Sequence, residues 1–411
     1  MSLLKNIFSI KNTQQGYGKD ITVLGLKFNL DTSNFYRSII KKTKIIDNKI
    51  LFTNFSDKSY GCNPKYIAEE ILRQKLPYEL VWLVKNPKKE RKNFPKEIKL
   101  IKSNSIQAIK EHASAKVWIS NTRKNSLITK GLIKKDGQIY IQTWHGSLGI
   151  KKAERVAENL PSQYKFMSKK DSEMTDFYIS NSLFEDEAFS LNFWYEGEIV
   201  KLGHARNDIF FCNETKKSYI NNKIRTLYNI PSDYKILLYV PTFRDINSGY
   251  NLDVNGLIDF LNNNYKENYV VLTRVHPNII KKSKKIFSYS KHIVNASYYP
   301  DIQELLLISD ILITDYSSCI FDYMLSKKPA FIYAPDVKSY DKERGFLYPL
   351  ETTPFPIATN NDELMKNIKD FNKKEYVNKV DAFLIEKGCI DDGYSSERIV
   401  NFIKRVLEGN K

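Results

Sequence analysis

Short apolar runs alternate with amphipathic stretches along most of the chain. The runs are rich in β-branched and aromatic residues, which predicts buried strands, and the stretches between them have the spacing of helices. Strands are predicted at 79–85, 115–120, 138–143, 176–180, 234–243, 268–277, 308–316 and 328–335, and helices at 63–74 and 395–409. Alternation of this kind predicts parallel sheets with helices on both faces, which is an α/β fold.

A second series of strands begins after residues 197–208, which favours two Rossmann-like halves. The length of 411 residues is sufficient for two or three domains. We divide the chain into an N-terminal basic segment (1–60), an N-terminal Rossmann-like domain (61–200), a C-terminal Rossmann-like domain (201–394) and a last helix (395–411) able to pack back on the N-terminal domain. A ligand between two such halves would meet the C-terminal ends of the strands.

Positive charge is concentrated in the first third of the chain. The net charge is +17; residues 1–150 contain 28 Lys and Arg against 11 Asp and Glu, whereas residues 151–411 contain 36 of each sign. This asymmetry predicts a polyanionic partner for the first part: an anionic lipid leaflet, a phosphate polymer or nucleic acid. The alternative is a genome whose base composition favours lysine codons, but this would raise the lysine content of both parts of the chain alike.

The N-terminus and the cysteines bear on the compartment. Leu3, Leu4, Ile7 and Phe8 would share one side of a helix, which would lie in a membrane interface, pack on the domain or fray. No run of about 18 apolar residues is present, so no segment is expected to cross a bilayer, and the N-terminus is too poor in apolar residues for a signal peptide. Four widely spaced cysteines suit a reducing cytoplasm.

Polar side chains follow the ends of separate predicted strands. They are His145 with Gly146, then Thr242, Arg244 and Asp245, then Arg274 and His276, and then Asp315, Ser317 and Ser318. Because the carboxyl ends of parallel strands lie along one edge of a sheet, these groups are expected to converge on one cleft. His145 is able to exchange a proton near neutral pH; the alternative is a ring that only packs on Trp144.

Two of these clusters have the chemistry of phosphate binding. Ser317 and Ser318 stand at the start of a helix, where free amides and the helix dipole attract an anion; the alternative is that they only cap the helix. Arg274 and His276 are two residues apart on a strand, so they point the same way and suit phosphate oxygens. The alternative for this pair is a surface His-Pro turn.

Arg206 and Arg244 are either further phosphate ligands or salt-bridge partners of the neighbouring Asp208 and Asp245. Motifs that would indicate other chemistries are absent from the sequence, which has no HExxH, HxH, GxxxxGK[ST] or GxSxG, and no GxGxxG after a strand. Neither a tightly held metal nor serine hydrolase or nicotinamide chemistry is therefore expected.

Taken in order, several motifs resemble the CDP-glycerol glycerophosphotransferase family of teichoic-acid and capsule polymer enzymes. They are QTWHGSLGIKK, GHARND, YVPTFRD, RVHPN, DIQELLLISDILITDYSSCIFDYMLSKKPAFIYAPD, ERGFLYP and DDGYSSERI. The resemblance covers about residues 60–400 and implies a GT-B-like fold, with two Rossmann-like domains whose parallel sheets face a central cleft. It also implies a CDP-alditol donor, release of CMP, and a cytoplasmic protein held peripherally on the inner face of the cell membrane.

The same resemblance assigns residues to roles. The two essential histidines of the family fall on His145 and His276, and its donor diphosphate site falls on Ser317 and Ser318. Further substrate-binding residues are expected at Gly146, Arg206, Asn207, Asp208, Thr242, Arg244, Arg274, Asp315, Asp322, Glu343 and Arg344. No metal or tightly bound cofactor is expected, and a requirement for Mg²⁺ is left open. Phe355 stands where the family usually has glycine, which leaves the approach of that loop to the substrate open.

We therefore expect a transferase that moves glycerol phosphate, or another alditol phosphate, from a CDP-alditol to a hydroxyl of a lipid-linked glycan or a poly(alditol phosphate), in teichoic acid or capsular polysaccharide synthesis. An anionic membrane surface is a further expected partner, nucleic acid is not, and self-association is left open. A GT-B glycosyltransferase using a nucleotide sugar and a non-enzymatic polyanion-binding protein are the alternatives. The sequence does not distinguish among alditols, or single addition from polymerisation.

Overall fold

The structure is a computed structural model. It describes residues 8–12, 19–31, 33–55, 57, 59–149, 151–157, 160–242, 251–275, 280 and 287–409. Within these residues, two parallel sheets each form the centre of a lobe, and a small antiparallel sheet precedes them. The strands of the small sheet are β1 (Phe8–Asn12), β2 (Lys19–Val23) and β3 (Leu26–Leu30).

The first lobe is built on seven parallel strands in the order β10-β9-β8-β7-β4-β5-β6. Their bounds are β4 (Ile46–Thr53), β5 (Glu79–Val84), β6 (Lys99–Lys102), β7 (Ala115–Ser120), β8 (Ile139–Gln142), β9 (Phe177–Ser180) and β10 (Glu198–Lys201). The helices of this part are α1 (Ser33–Lys42), α2 (Cys62–Arg73), α3 (Pro87–Glu90), α4 (Ile106–Ser114), α5 (Asn125–Ile128), α6 (Ser162–Met174) and α7 (Leu183–Asn192). Short 3-10 turns lie at Arg91–Asn93 and Glu154–Val156.

The second lobe is built on six parallel strands in the order β13-β12-β11-β14-β15-β16. Their bounds are β11 (Lys235–Val240), β12 (Tyr269–Thr273), β13 (Ile293–Asn295), β14 (Ile311–Thr314), β15 (Ala330–Tyr333) and β16 (Ile357–Ala358). The helices are α8 (Glu214–Tyr228), α9 (Val254–Tyr265), α10 (Ile302–Ile308), α11 (Cys319–Tyr323), α12 (Val337–Arg344), α13 (Asn361–Lys369), α14 (Lys373–Glu386) and α15 (Ser395–Leu407). A 3-10 turn at Ala205–Phe211 joins the lobes, and two others lie at Met324–Ser326 and Leu350–Thr352.

Buried apolar runs explain the two parallel sheets. The central strands β5, β7, β11 and β14 have side chains that are buried on both faces of the sheet, as a sheet covered by helices on each side requires. In the first lobe, Phe52 stacks on Trp82 with ring centroids 5.4 Å apart. The α/β fold predicted from the sequence is confirmed by this topology.

The N-terminal expectation of a helix is wrong where the structure describes the chain. Phe8 begins strand β1, which pairs with β2 in an antiparallel register. The other residues of the expected helical face, Leu3, Leu4 and Ile7, lie outside the described residues. Alternation of apolar and polar residues from Phe8 onward has the period of a strand, and pairing with β2 and β3 decides in its favour.

Two C-terminal features show how the ends of the fold are packed. Helix α15 packs against α2 and the 205–211 turn, and the ring of Phe402 meets that of Phe177 in the first lobe at 5.0 Å. Phe355 is buried, and its ring lies 5.5 Å from that of Phe321. Phe355 therefore fills the core of the second lobe.

Candidate active site

The loop that follows β8 carries His145 at the junction of the two lobes. The backbone is strained on both sides of the histidine, because Trp144 and Leu148 have the positive φ angles of 48° and 39°. Such conformations are rare for residues other than glycine and persist only where the surroundings enforce them. Here the side chain of Gln142 accepts a hydrogen bond from the Trp144 amide at 3.1 Å.

One hydrogen bond determines which nitrogen of His145 carries the proton. Nδ1 lies 2.7 Å from the backbone carbonyl oxygen of Asn121. A carbonyl only accepts, so Nδ1 is the donor and Nε2 keeps its lone pair. The partly buried ring also packs on Trp144, with centroids 4.5 Å apart. Packing on Trp144 and a role as a base are therefore compatible.

The surroundings of His145 keep its imidazole neutral. Its pKa is lowered to about 4, chiefly by burial and then by the positive charges of Arg206 and Lys151, against the opposing effect of the hydrogen bond to Asn121. A group with this pKa is unprotonated at neutral pH, and His145 is then ready to accept a proton through Nε2.

Several contacts hold the His145 loop against the second lobe. A Cβ atom added at Gly149 would lie 3.3 Å from the Cβ of Ser318, so glycine permits this close approach. The amide of Lys152 donates to the carbonyl oxygen of Gly345 at 3.1 Å, and the Tyr348 hydroxyl donates to the carbonyl oxygen of Leu148. The loop from one sheet is thereby seated on the strand-end loops of the other.

Arg206 forms a buried ion pair at this junction. Its Nε and Nη2 donate to the two carboxylate oxygens of Asp322 at 2.9 and 3.0 Å, and Nη2 also donates to the carbonyl oxygen of Gly146 at 2.8 Å. Burial alone would lower the pKa of Arg206, but the charge of Asp322 raises it. Within the described part of the chain, Nη1 is buried with no hydrogen-bond partner.

The two residues after Arg206 also join parts of the fold. Asn207 donates to Asp391 at 2.7 Å and accepts from Gln303 at 3.0 Å. The carboxylate of Asp208 accepts from the amides of Ser395 and Ser396 at 2.9 and 2.7 Å. Asp208 thus satisfies the first amides of helix α15, and burial raises its own pKa.

In the second lobe, Asp315 ties the ends of two neighbouring strands together. Its carboxylate accepts from the Thr242 amide at 3.0 Å and from the Tyr316 amide at 2.6 Å. The turn at Ser317 and Ser318 follows directly. Within the described residues, the Ser318 hydroxyl makes no hydrogen bond that caps α11.

The remaining predicted residues are more scattered. The guanidinium of Arg274 donates to the carbonyl oxygen of Tyr299 at 2.6 Å, on the β13 side of the cleft. Glu343 is exposed near the end of α12. His276, Arg244 and the side chain of Arg344 lie outside the described residues.

A cavity of about 1060 Å³ opens between the lobes on the Arg274 side. Its walls include Lys65 and Tyr66 from α2, together with Tyr299 and Glu304 from the second lobe. Lys65 is buried there and contacts Asp301 and Glu304 at 2.8 and 2.7 Å. Among the described residues, no group of three or more His, Cys, Asp and Glu side chains is placed to hold a metal ion.

Three buried asparagines support the site and were missed by sequence reasoning. Asn63 donates to the carbonyl oxygen of Thr143 at 3.0 Å, Asn181 donates to the hydroxyl of Ser147 at 2.9 Å, and Asn121 holds His145. A signal was present in the sequence: the tripeptide Ile-Ser-Asn ends both β7 and β9, at Asn121 and Asn181. An asparagine at the end of two strands indicates that both side chains hold the loops that follow those strands.

A buried acid and histidine lie beneath the same loop. His204 Nε2 is 2.9 Å from a carboxyl oxygen of Glu185. Burial lowers the pKa of His204 to about 3 and raises that of Glu185 to about 8. At neutral pH the carboxyl therefore keeps its proton and the ring is neutral, so the pair carries no net charge and has a structural role beneath the loop.

Comparisons with known proteins agree with this arrangement. The family model described as CDP-Glycerol:Poly(glycerophosphate) glycerophosphotransferase matches residues 34–405. The chain is 34% identical over 397 residues to the teichoic acid poly(glycerol phosphate) polymerase of Staphylococcus epidermidis, covering 92% of this chain and 54% of the relative. It thus spans about half the length of that protein.

Two further comparisons cover most of both chains. The chain is 32% identical over 374 residues to the teichoic acid glycerol-phosphate transferase of Staphylococcus aureus, covering 87% of this chain and 92% of the relative. A solved structure of a variant of the wall teichoic acid polymerase TagF soaked with CDPG superposes with a TM-score of 0.79 at 32% identity, covering 92% of this chain and 93% of that one. The GT-B-like fold expected from the sequence is confirmed.

We predict that Asp208→Ala destabilises the protein without changing its affinity for substrate. The change removes the acceptor of two amides at the start of α15, and loss of a cap costs about 1–2 kcal/mol. Urea unfolding measures this loss, with Asp259→Ala on the exposed face of α9 as the matched control. Weaker substrate binding at unchanged stability would contradict the capping role and favour direct contact with substrate.

Proposed function

Since the chain belongs to the CDP-glycerol:poly(glycerophosphate) glycerophosphotransferase family, we propose that it transfers an alditol phosphate from a CDP-alditol to a hydroxyl acceptor and releases CMP. One observation carries the proposal. A neutral imidazole, oriented by the Asn121 carbonyl so that Nε2 is the acceptor nitrogen, stands on a loop that is seated against the Ser317–Ser318 turn of the other lobe. This is the arrangement that a base at a donor diphosphate requires.

In this mechanism His145 takes the proton of the acceptor hydroxyl. The acceptor oxygen attacks the phosphorus that bears the alditol, the bond to the bridging oxygen breaks, and CMP leaves. Phosphoryl transfer depends mostly on positioning and on stabilisation of charge. We assign the diphosphate to the turn at Ser317 and Ser318, and charge stabilisation to Arg274 and His276.

Arg206 is better suited to positioning than to direct contact with the diphosphate. Its pairing with Asp322 and with the Gly146 carbonyl supports this role, because a guanidinium engaged on both sides of the junction fixes the His145 loop relative to the donor lobe. The cavity between the lobes is lined by Arg274 but not by His145, Ser317 or Ser318, so it adjoins the proposed donor site rather than forming it.

The acceptor is proposed to be a poly(alditol phosphate) or a lipid-linked glycan. The excess of positive charge in residues 1–150 supports a polyanionic partner for the first lobe. The donor phosphates are able to bind Mg²⁺ without protein ligands.

The test of the function is release of nucleotide from a set of donors. We expect release of CMP from CDP-glycerol or CDP-ribitol. A phosphate-polymer acceptor should raise the rate of this release, and alditol phosphate should appear in the acceptor. The purified protein is mixed with each donor and with UDP-sugars, with and without Mg²⁺, and CMP and UDP are separated by chromatography. UDP release from a UDP-sugar would contradict the proposal and indicate a glycosyltransferase.

A second prediction concerns pH. Because only the neutral imidazole accepts a proton and the pKa of His145 is about 4, kcat/KM should be constant above about pH 5 and fall as pH drops through 4. His145→Gln should lower kcat about 10²–10⁴-fold, whereas the same substitution at His292, which stacks on Tyr234 in the second lobe, should leave it unchanged. Loss of activity already between pH 7 and 6 would contradict the neutral base.

We further propose that the small N-terminal sheet rests on the inner leaflet of the membrane. No helix in the described ranges is long and apolar enough to cross a membrane. The pairing of β1, β2 and β3 aligns Ile10, Ile21, Val23, Leu26 and Phe28 on one face of the sheet. Leu26 is 66% exposed and Phe28 is 54% exposed. An apolar face with this exposure needs a covering layer.

The positive charge of residues 1–150 favours anionic lipid over a second copy of the chain as the covering layer. Lys27 is exposed on the opposite face, and Lys41, Lys42 and Lys44 are exposed at and just after the end of α1. Anionic headgroups attract the excess of positive charge in residues 1–150, by about 1 kcal/mol for each cation near the surface, whereas two such parts repel each other. The hairpin tip also presents Leu24, which is 76% exposed.

The membrane proposal predicts that Leu26→Asp combined with Phe28→Asp abolishes binding to vesicles. Burial of one such side chain stabilises by about 1.5–3 kcal/mol, so the loss should exceed about tenfold. Co-sedimentation with phosphatidylglycerol-containing and pure phosphatidylcholine vesicles measures it. Thr22→Asp adds charge on the opposite face, keeps the hydrogen bond that Asn29 donates to Asp20, and is the control. Equal loss in both variants, or a dimer that only the first variant disrupts, would contradict membrane docking by this face.

A further inference from the structure

Phe55 is an exposed aromatic residue held beside the candidate base. It follows strand β4, its side chain is 36% exposed, and its φ angle of 43° lies in the left-handed region. The edge of its ring meets the imidazole of His145 at a centroid distance of 5.3 Å. A bulky residue with this φ is uncommon, so the surrounding structure must hold the backbone at Phe55 in place.

Asn121 provides that hold. This residue is fully buried. Its Oδ1 accepts from the Phe55 amide at 2.9 Å, and its Nδ2 donates to Oδ1 of Asn54 at 2.6 Å. Its own carbonyl oxygen accepts from His145 Nδ1 at 2.7 Å. A single residue therefore fixes both the orientation of the base and the backbone of the aromatic residue next to it.

Asn54 and Trp144 make further contacts around Phe55 and the imidazole. Asn54 donates from Nδ2 to the carbonyl oxygen of Ser59 at 3.0 Å, which ties the end of β4 to Ser59. Trp144 also contacts the imidazole, with centroids 4.5 Å apart and its ring tilted by 33°. The imidazole thus contacts two aromatic rings, and both belong to residues with positive φ angles that the surrounding structure enforces.

We propose that Phe55 is a specificity-determining wall that restricts the approach of water to the His145 imidazole, and that Asn121 is the positioning residue that holds this wall in place. The inference rests on the proposed transfer function and concerns the choice of nucleophile. A neutral base at a phosphoanhydride activates water as readily as an alditol hydroxyl, unless the approach of water is restricted. The apolar ring of Phe55 packs better against the carbon chain of an alditol than against water, so the alditol hydroxyl is the favoured nucleophile.

The two competing reactions differ only in the attacking oxygen. In transfer, the acceptor hydroxyl gives its proton to His145 Nε2 and forms a bond to the phosphorus that bears the alditol. In hydrolysis, water gives up its proton in the same way, and the product is free alditol phosphate. In both, the bond between that phosphorus and the bridging oxygen breaks, and CMP leaves with the electron pair.

The test is the ratio of hydrolysis to transfer with CDP-glycerol and a water-soluble poly(glycerol phosphate) acceptor. Free glycerol phosphate reports hydrolysis, and glycerol phosphate incorporated into the polymer reports transfer. Phe55→Ala should raise the ratio about tenfold or more, and Phe55→Leu, which keeps an apolar side chain, should restore most of the wild-type ratio. Phe35→Ala is the matched control, because Phe35 is an exposed phenylalanine on α1.

The role of Asn121 is tested in the same assay. Asn121→Ala should raise the ratio as Phe55→Ala does, and the double variant should raise it no further, since both act through one wall. An unchanged ratio in Phe55→Ala overturns the inference while transfer by the wild type upholds the proposed function. Independent, multiplying effects in the double variant overturn the role of Asn121. Absence of CMP release by the wild type overturns the proposed function and this inference with it.

Discussion

A buried guanidinium fixes how the two lobes meet. Arg206 engages Asp322 of the second lobe through two nitrogens and reaches the Gly146 carbonyl beside His145 with one of them. A buried ion is tolerated only when its partners are correctly placed, because an unpaired buried charge costs several kcal/mol. The geometry of this pair therefore restricts the position of the loop after β8. The strained conformation at Trp144, the orientation of His145 and the approach of Gly149 to Ser318 all depend on that position.

The neutral state of His145 has a related origin. Its ring contacts two aromatic side chains and lies near two cations, so water solvates a positive imidazolium poorly there. His204 is kept neutral by burial as well, but beside a carboxyl that retains its proton. His145 and His204 are thus both neutral, but they have different roles at the junction of the lobes. His145 has a nitrogen directed by a backbone carbonyl, whereas His204 is enclosed by the structure that supports the loop.

The fold was accessible from the sequence, and the contacts at the site were only partly so. Strands such as β5 and β11 are continuous apolar runs whose burial on both faces is visible from composition alone. Because the apolar runs show where each strand ends, the polar residues at those ends were also identified from the sequence. Arg206 was considered as a partner of the neighbouring Asp208, but its actual partner, Asp322, is 116 positions away. Asn121 was missed because its importance lies in contacts with Asn54 and His145, which only the folded topology brings together. The strand at Phe8 was missed because its pairing partners decide its conformation.

Helix α15 gives the molecule a second connection between its lobes. The chain passes from the first sheet to the second through the 205–211 turn, and it returns when Phe402 packs on Phe177. Asp208 lies at both crossings, because it belongs to the turn and holds the first amides of the returning helix. Two adjacent connections between the lobes define a hinge axis. Any opening of the cleft to admit donor or release CMP is then a rotation about that axis, with little freedom for sliding or twisting.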